Sequence, residues 1–276
     1  MIYHTPMNEM TLSKTLQNIP LGGLKFFDST ASTNDIALDW AGQGAPDFSL
    51  VCADHQSAGR GRLDRRWVTQ AGTSLAFSLI LRPTPAEREW FGLYAALGAA
   101  AAADALEYDL GLSPQIKWPN DVLLSRKKVG GILTEASWLG DQPQAVVIGI
   151  GLNIAPGSVP PADELRFPGG CVEEVLGRAI DRAWLLARIL TRLPVQRARM
   201  GTPAFNADWE RRLAFRGEWV RLDPCSSASP ESIPEKEPLT GRVLGIDGQG
   251  SLRIETQSGK IWTATAGEVS LRPLQT

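Results

Sequence analysis

Four short segments carry side chains suited to handling anionic ligands. The first is Gln56-Ser57-Ala58-Gly59-Arg60-Gly61-Arg62-Leu63-Asp64-Arg65-Arg66-Trp67. Its glycines permit close backbone approach and positive φ. Arg60, Arg62 and Arg65 offer rigid guanidinium forks for carboxylate or phosphate oxygens, and Trp67 supplies an apolar wall. Taken alone, the same run also reads as an exposed basic loop or a nucleic-acid contact.

The second segment is Lys117-Trp118-Pro119-Asn120-Asp121. Pro119 fixes its own φ and biases Trp118 toward extended backbone, which places Lys117 and Asp121 around a stiff corner. A lysine beside an aspartate suits a phosphate contact joined to a Mg²⁺ or amine contact. Taken alone, an ion-paired surface turn is the plainer account. The third, Lys128-Val129-Gly130-Gly131-Ile132-Leu133-Thr134-Glu135, sets a lysine beside paired glycines at a strand start, and also reads as a plain hairpin. In the fourth, Gly149-Ile150-Gly151-Leu152-Asn153, small residues in a strand leave room for a ligand and Asn153 can donate and accept. Glycine-mediated strand packing fits equally.

The elements that must position these residues follow from patterning. Ser32-Thr33-Asn34-Asp35 before Ile36, Ala37 and Trp40 marks a helix start, because such side chains accept orphan amide hydrogens. Leu50 to Ala53 and Ser74 to Leu81 read as strands, the second with Leu75, Phe77, Leu79 and Leu81 on one face. Residues 87 to 107 read as a helix. Gln115 to Lys117, Val122 to Leu124, Gly131 to Ser137 and Ala145 to Leu152 read as strands, the last apolar enough to be covered on both faces. Residues 155 to 170 read as a long loop. Helices are expected over 180 to 199 and around Phe205 to Leu213. Residues 1 to about 20 look polar and irregular.

From about Arg216 the pattern changes to short β-type runs: Trp219 to Leu222, Gly241 to Ile246, Ser251 to Glu255 and Lys260 to Ala264. They are broken by the turn signals Asp247-Gly248 and Ser258-Gly259. A Pro/Ser/Glu-rich stretch, 224 to 238, interrupts this module. The expected division is an N-terminal arm at 1–27, a large mixed domain at 28–215 and a small β-domain at 216–276.

The 276 residues suffice for a large and a small domain, and 43% hydrophobic with 21% charged residues is ordinary globular composition. A net charge of -2 demands neither nucleic acid nor a membrane. Three scattered cysteines, Cys52, Cys171 and Cys225, form no CxxC pair and fit reduced thiols in a cytoplasmic protein. Two histidines, His4 and His55, leave little for a histidine metal centre or a Ser-His-Asp triad. No secretory signal is visible, and the alanine-rich run from Leu93 to Leu106 contains Gly98 and Asp104, so it fits a core helix better than a membrane span.

Each segment is ambiguous alone, but their joint order is specific. Ser32-Thr33-Asn34, the Gly59-to-Arg62 loop, Lys117-to-Asp121, Lys128 with Gly130 to Leu133, and Gly149-to-Asn153 together resemble the biotin protein ligase family. Gly267-Glu268-Val269-Ser270-Leu271-Arg272 resembles the end of that family's C-terminal module. The likeness spans roughly residues 28 to 276. It implies an α+β fold: a mixed β-sheet with flanking helices, similar to class II aminoacyl-tRNA synthetases, followed by a small SH3-like β-barrel.

It further implies an ATP-dependent ligase that forms biotinyl-5'-AMP and passes biotin to a lysine of a biotin carboxyl carrier protein. By the same likeness Ser32, Thr33, Asn34, Gln56, Gly59, Arg60, Gly61, Arg62, Lys128, Gly131, Gly149 and Gly151 surround biotin or its adenylate. Arg62, Arg65, Trp67, Lys117, Asn120, Lys128 and Asn153 lie on the ATP side, with Glu268 and Arg272 brought in by the small domain. Arg62, Lys117, Asp121 and Lys128 carry the catalysis, and Asp121 assists Mg²⁺ or the incoming lysine. Mg²⁺ with ATP is implied; zinc, haem and flavin are not.

Two departures stand out. The family usually has glycine where this chain has Asp64, which could pair with Arg62 or Arg65. Some relatives also carry a DNA-binding domain of about sixty residues before the catalytic domain, whereas fewer than thirty precede Ser29 here, so DNA is not an expected partner. Whether two copies form a homodimer is left open. The rival readings are a lipoate or octanoate transferase of the same fold, expected to lack the 59–67 loop and the 117–121 corner, and a non-enzymatic biotin- or nucleic-acid-binding protein.

Overall fold

The computed structural model describes residues 7–63, 65–224, 238–264 and 269–274. Seven strands form the main sheet: β1 (Gly23–Thr30), β2 (Ser49–Gln56), β3 (Ser74–Leu81), β4 (Gln115–Lys117), β5 (Asp121–Leu124), β6 (Lys127–Leu139) and β7 (Gln142–Asn153). Their order is β1-β2-β3-β7-β6-β5-β4. Only β1 and β2 run parallel, so the sheet is mixed.

Both faces of this sheet are covered, as the unbroken apolar runs require. On one face Leu75, Phe77, Leu79 and Leu81 join Val146, Ile148 and Ile150 beneath α3 (Tyr94–Asp104) and α5 (Arg182–Arg199). The alanine-rich α3 is buried almost all round, and Gly98 lets it lie against the sheet: a Cβ there would stand 2.9 Å from Cγ2 of Ile148. On the other face Val51, Ile80 and Val147 pack under Ala37 and Ala41 of α2 (Thr33–Gly42). Two shorter helices, α4 (Val172–Leu176) and α6 (Pro203–Arg211), complete the unit.

Several expectations need correcting. Residues 9–16 are not irregular: α1 (Glu9–Leu16) starts with a capping box between Asn8 and Thr11, and it buries Leu12 and Leu16 against the core beside α5. Two apolar residues four apart, between polar ones, gave little periodic signal. The expected arm boundary at 27/28 falls inside β1, which was not foreseen because its face is only half covered. The single helix expected over 87–107 is a 3₁₀ segment (Ala86–Leu93), α3, and a π turn (Ala105–Asp109). The 155–170 loop holds two short 3₁₀ turns, Pro156–Ser158 and Ala162–Glu164.

The small module is a five-stranded antiparallel sheet of β8 (Trp219–Pro224), β9 (Leu239–Ile246), β10 (Leu252–Glu255), β11 (Ile261–Ala264) and β12 (Val269–Pro273), ordered β11-β10-β9-β8-β12. Asp247-Gly248 and Ser258-Gly259 sit in its turns, as their types suggest. Its apolar residues Val220, Leu222, Val243 and Ile254 belong to the same continuous core as the large sheet. At the seam Trp118 donates from Nε1 to the Gly250 carbonyl over 3.0 Å. No helix among the described residues is long and apolar enough to cross a membrane.

Candidate active site

The face of β7 that lies under α2 changes character along its length. Val147 is packed beneath the helix, but the next residues on that face are Gly149 and Gly151. Beyond the α2 N-terminus this glycine floor, paired with Gly131 of β6, opens a cleft of about 130 Å³. Close approach explains the glycines: a Cβ on Gly149 would stand 2.2 Å from Oδ1 of Asn34, and one on Gly151 2.4 Å from Cε2 of Trp67.

One end of the cleft is a neutral polar network. Gln56 Oε1 accepts from the Thr33 amide at 2.8 Å and from the Thr33 hydroxyl at 3.0 Å. Ser78 Oγ lies 2.7 Å from Thr33 Oγ1 and 2.6 Å from Asn34 Oδ1. Asn34 Nδ2 donates to Glu135 at 2.8 Å. Ser32 occupies the N-cap position of α2, yet its side chain makes no capping bond. The orphan amide of Thr33 is taken by Gln56 from a neighbouring strand, not by a local side chain.

The Gly/Arg loop is a tight hairpin. Trp67 donates its amide to the Gly59 carbonyl, Gly61 donates to Arg65, and Arg60 bridges to Arg66. Positive φ falls on Leu63 rather than on Gly59 or Gly61. Gly59 is needed for space, since a Cβ would meet the Trp67 carbonyl at 2.4 Å. Asp64 lies outside the described residues. Arg60 turns its guanidinium to Glu135 at 2.7 and 2.9 Å and to Asp35 at 2.5 Å, so protein carboxylates already engage it. Arg62 donates to Asn120 Oδ1 at 3.1 Å.

The opposite end is cationic. Lys117 and Asp121 face each other across the β4–β5 hairpin, whose corner contains a cis Trp118–Pro119 peptide. Lys117 Nζ lies 3.1 Å from Asp121 Oδ2 and Lys128 Nζ 2.5 Å from Oδ1. Burial acts to raise the Asp121 carboxyl, but the Lys128 and Lys117 ammoniums beside it hold it at about 2. Burial pushes Lys117 down from its ordinary value, against the pull of Asp121. Lys128 reaches this site through a bulge: the β5–β6 register passes from Val122↔Gly130 to Leu123↔Lys128 and skips Val129. Residues three apart in a regular strand face opposite sides. Here Lys128 Nζ comes to 3.2 Å from the Cβ position of Gly131.

Sixteen of the residues expected at the site line this one cleft: Ser32, Thr33, Asn34, Gln56, Arg60, Gly61, Arg62, Arg65, Trp67, Lys117, Asn120, Asp121, Lys128, Gly131, Gly149 and Gly151. Gly59 stands behind it. Asn153 does not line it; its Nδ2 donates to the Gly170 carbonyl at 3.1 Å. Arg272 does not line it either, and is held by Asp223 at 3.1 Å and by the Arg166 carbonyl at 2.7 Å. Glu268 lies outside the described residues.

Sequence reasoning missed Ser78, Glu135 and the apolar lining of Phe77, Ile132, Leu133 and Ile150. A serine inside an otherwise apolar strand was the available signal for Ser78. As for a metal, Asp121 does not fit a cation ligand, because an ammonium occupies each carboxylate oxygen. Among the described residues no group of three or more His, Cys, Asp or Glu could hold one. Cys52 and Cys171 are free and buried, and burial pushes the Cys52 thiol up to about 12, which removes it as a nucleophile.

Comparison with known proteins agrees with this geometry. Residues 26–153 match the biotin/lipoate A/B protein ligase family, and residues 233–272 match the biotin protein ligase C-terminal domain. The chain is 36% identical over 249 residues to the biotin–[acetyl-CoA-carboxylase] ligase of Paracoccus denitrificans, covering 84% of this chain and 93% of that one. It is 35% identical over 246 residues to the bifunctional ligase/repressor BirA of Bacillus spizizenii, covering 87% and 72%. The solved biotin protein ligase of Aquifex aeolicus in complex with biotin and ATP superposes with a TM-score of 0.74 at 27% identity, over 91% of this chain and 99% of the other. With a matching fold and relatives of this identity along most of their length, the chain belongs to the biotin protein ligase family.

Proposed function

We propose that the protein activates biotin with ATP as biotinyl-5'-AMP and transfers the biotinyl group to a lysine of a biotin carboxyl carrier protein domain. The observation that carries this reading is the polarity of a single cleft. Neutral donors and acceptors (Gln56, Thr33, Asn34) stand at one end and ammonium groups (Lys117, Lys128) at the other, with a glycine floor between them. A ligand with a polar, uncharged head and a carboxylate tail fits that order.

The chemistry follows from charge. A carboxylate and a triphosphate repel one another, and cations between them offset the repulsion. Arg62, Lys117 and Lys128 serve this purpose on the phosphate side. The biotin carboxylate oxygen bonds to the α-phosphorus, the bond to the bridging oxygen breaks, and pyrophosphate leaves with its charge stabilised by these groups. Asp121 aims the two ammoniums through its two carboxylate oxygens. Mg²⁺ enters as part of the ATP substrate rather than on a resident protein site, and Arg65, Trp67 and Asn120 contact the nucleotide side. The hairpin of residues 59–67, with Trp67 against the floor, shields the mixed anhydride from water. The acceptor lysine attacks as the neutral amine; the amide forms, AMP leaves and the proton passes to solvent.

We divide the chain at residue 215/216 into a catalytic unit, which includes α1 and β1, and the small β-domain. Biotin-dependent exchange of labelled pyrophosphate into ATP tests the first step, and biotin transfer to a purified carrier domain tests the second. Exchange that proceeds without biotin, or faster with lipoate or octanoate, would overturn the assignment.

A further inference from the structure

Phe167 lies within residues 155–170, which read from the sequence as a long loop and a candidate cover for the adenylate; no role for its own ring follows from the sequence. In the structure the Lys117 ammonium stands over its ring, 4.9 Å from the centroid. The segment carrying it is tied down on several sides. Lys128 donates its amide to the Pro168 carbonyl over 2.8 Å, and Gly170 donates to the Lys128 carbonyl over 3.0 Å, a parallel bridge centred on Gly169. Asn153 holds the Gly170 carbonyl, and Arg272 holds the Arg166 carbonyl. Phe167 itself meets Phe215 edge-to-face, with centroids 6.3 Å apart. Arg126 covers Phe215 at 4.9 Å and makes a paired contact with Glu218 at the start of the small sheet.

We propose that Phe167 is a positioning residue for the reaction: its ring seats the Lys117 ammonium at the phosphate end of the cleft, and residues 166–170 are the strap that holds the ring there. The proposal rests on Lys117 serving the ATP side. It assigns Asn153 and Arg272, which stand back from the cleft, a common task in bracing the strap. Among the described residues, the charged groups facing Lys117 are Asp121 on β5, Lys128 on β6 and Arg272 on β12. Of these only Asp121 attracts it. The negative face of an aromatic ring adds attraction for the charged amine without adding a competing ligand for the two lysines. A leucine would fill much of the same space and supply none of it.

The experiment compares Phe167→Leu and Phe167→Tyr with wild type by steady-state pyrophosphate release and by calorimetry with biotin. The leucine variant is expected to raise KM for ATP roughly tenfold, with biotin affinity unchanged, and the tyrosine variant to restore most of it. The alkaline limb of kcat/KM for ATP should move to lower pH in the leucine variant, since burial then acts on Lys117 with less opposition. Should leucine unfold the chain, Phe167→Met is measured in its place and interpreted the same way. A leucine variant with wild-type KM and pH profile, or a defect shared by tyrosine, would overturn the proposal and leave Phe167 a packing residue. Lys117→Ala is run beside them. If it leaves KM for ATP unchanged, the ATP-side reading of Lys117 fails; if it raises KM while Phe167→Leu does not, only the role of Phe167 fails.

Discussion

Lys128 Nζ lies 2.5 Å from Oδ1 of Asp121, and the bulge that skips Val129 is what lets the two meet. Asp121 is nearly buried, at 8% exposure, and its carboxylate serves two ammoniums at once. Removing its charge leaves both cations uncompensated.

Asp121→Asn is therefore expected to destabilise the fold by about 3 kcal/mol at neutral pH. The acid dependence gives a sharper check. The folded carboxyl titrates at about 2, below its ordinary 3.8, so its contribution is complete above about pH 4 and lost as pH falls toward 2. Urea denaturation across that window should show a loss of stability in wild type that exceeds the asparagine variant's by about 2 kcal/mol. Equal losses would refute the pairing.

Arg62 reaches into the cleft from the hairpin and holds Asn120. Arg62→Ala should lose a charge-assisted contact to the ligand, roughly 1.5–3 kcal/mol, seen as weaker biotin affinity and faster escape of the acyl-adenylate. Arg62→Gly should leak more, because the hairpin also loses backbone restraint. Labelling of an unrelated bystander protein reads the escape directly. Labelling no higher than wild type, with unchanged biotin affinity, would count against this role.

Gly151 lies under the Trp67 indole with no space for a methyl group. Gly151→Ala should drive Trp67 out of the cleft, cost about 1–3 kcal/mol of stability, and lower biotin affinity at least about tenfold, on the scale of one lost apolar contact. Calorimetry at a temperature where the variant remains folded separates the two effects. Undiminished affinity would show that Trp67 is not part of the binding wall.

Trp118 is 1% exposed and spends its only side-chain donor on the Gly250 carbonyl, in the turn between β9 and β10. Trp118→Phe keeps one aromatic ring but removes the pyrrole part with its donor, leaving a buried acceptor unmet at a cost of about 1–3 kcal/mol and a void beside it. Since this contact joins the two sheets, the variant should show a lower urea midpoint with a broadened or split transition. A single transition at the wild-type midpoint would mean that the seam does not depend on it.

Much of the site could be read from residue order. Gln56, Lys117, Asp121, Lys128 and the glycines at 131, 149 and 151 were identifiable because phosphate and carboxylate chemistry restricts which side chains can serve, and close approach restricts which backbone positions can. The strands over 74–81 and 145–152 were legible because burial on both faces leaves an unbroken apolar run. β1 and α1 were not, since each buries only part of one side and its pattern is diluted by polar residues.

The sequence by itself determined the family, the mixed α+β class and the set of charged residues that must converge, because those are properties of residue type and order. Only the tertiary structure decided how they converge. Gln56 caps α2 from a neighbouring strand, a bulge turns Lys128 to the face of Gly131, protein carboxylates claim Arg60, and Phe167 arrives under Lys117 from fifty residues away. Each of these depends on register and on contacts between segments distant along the chain, which local propensity does not encode.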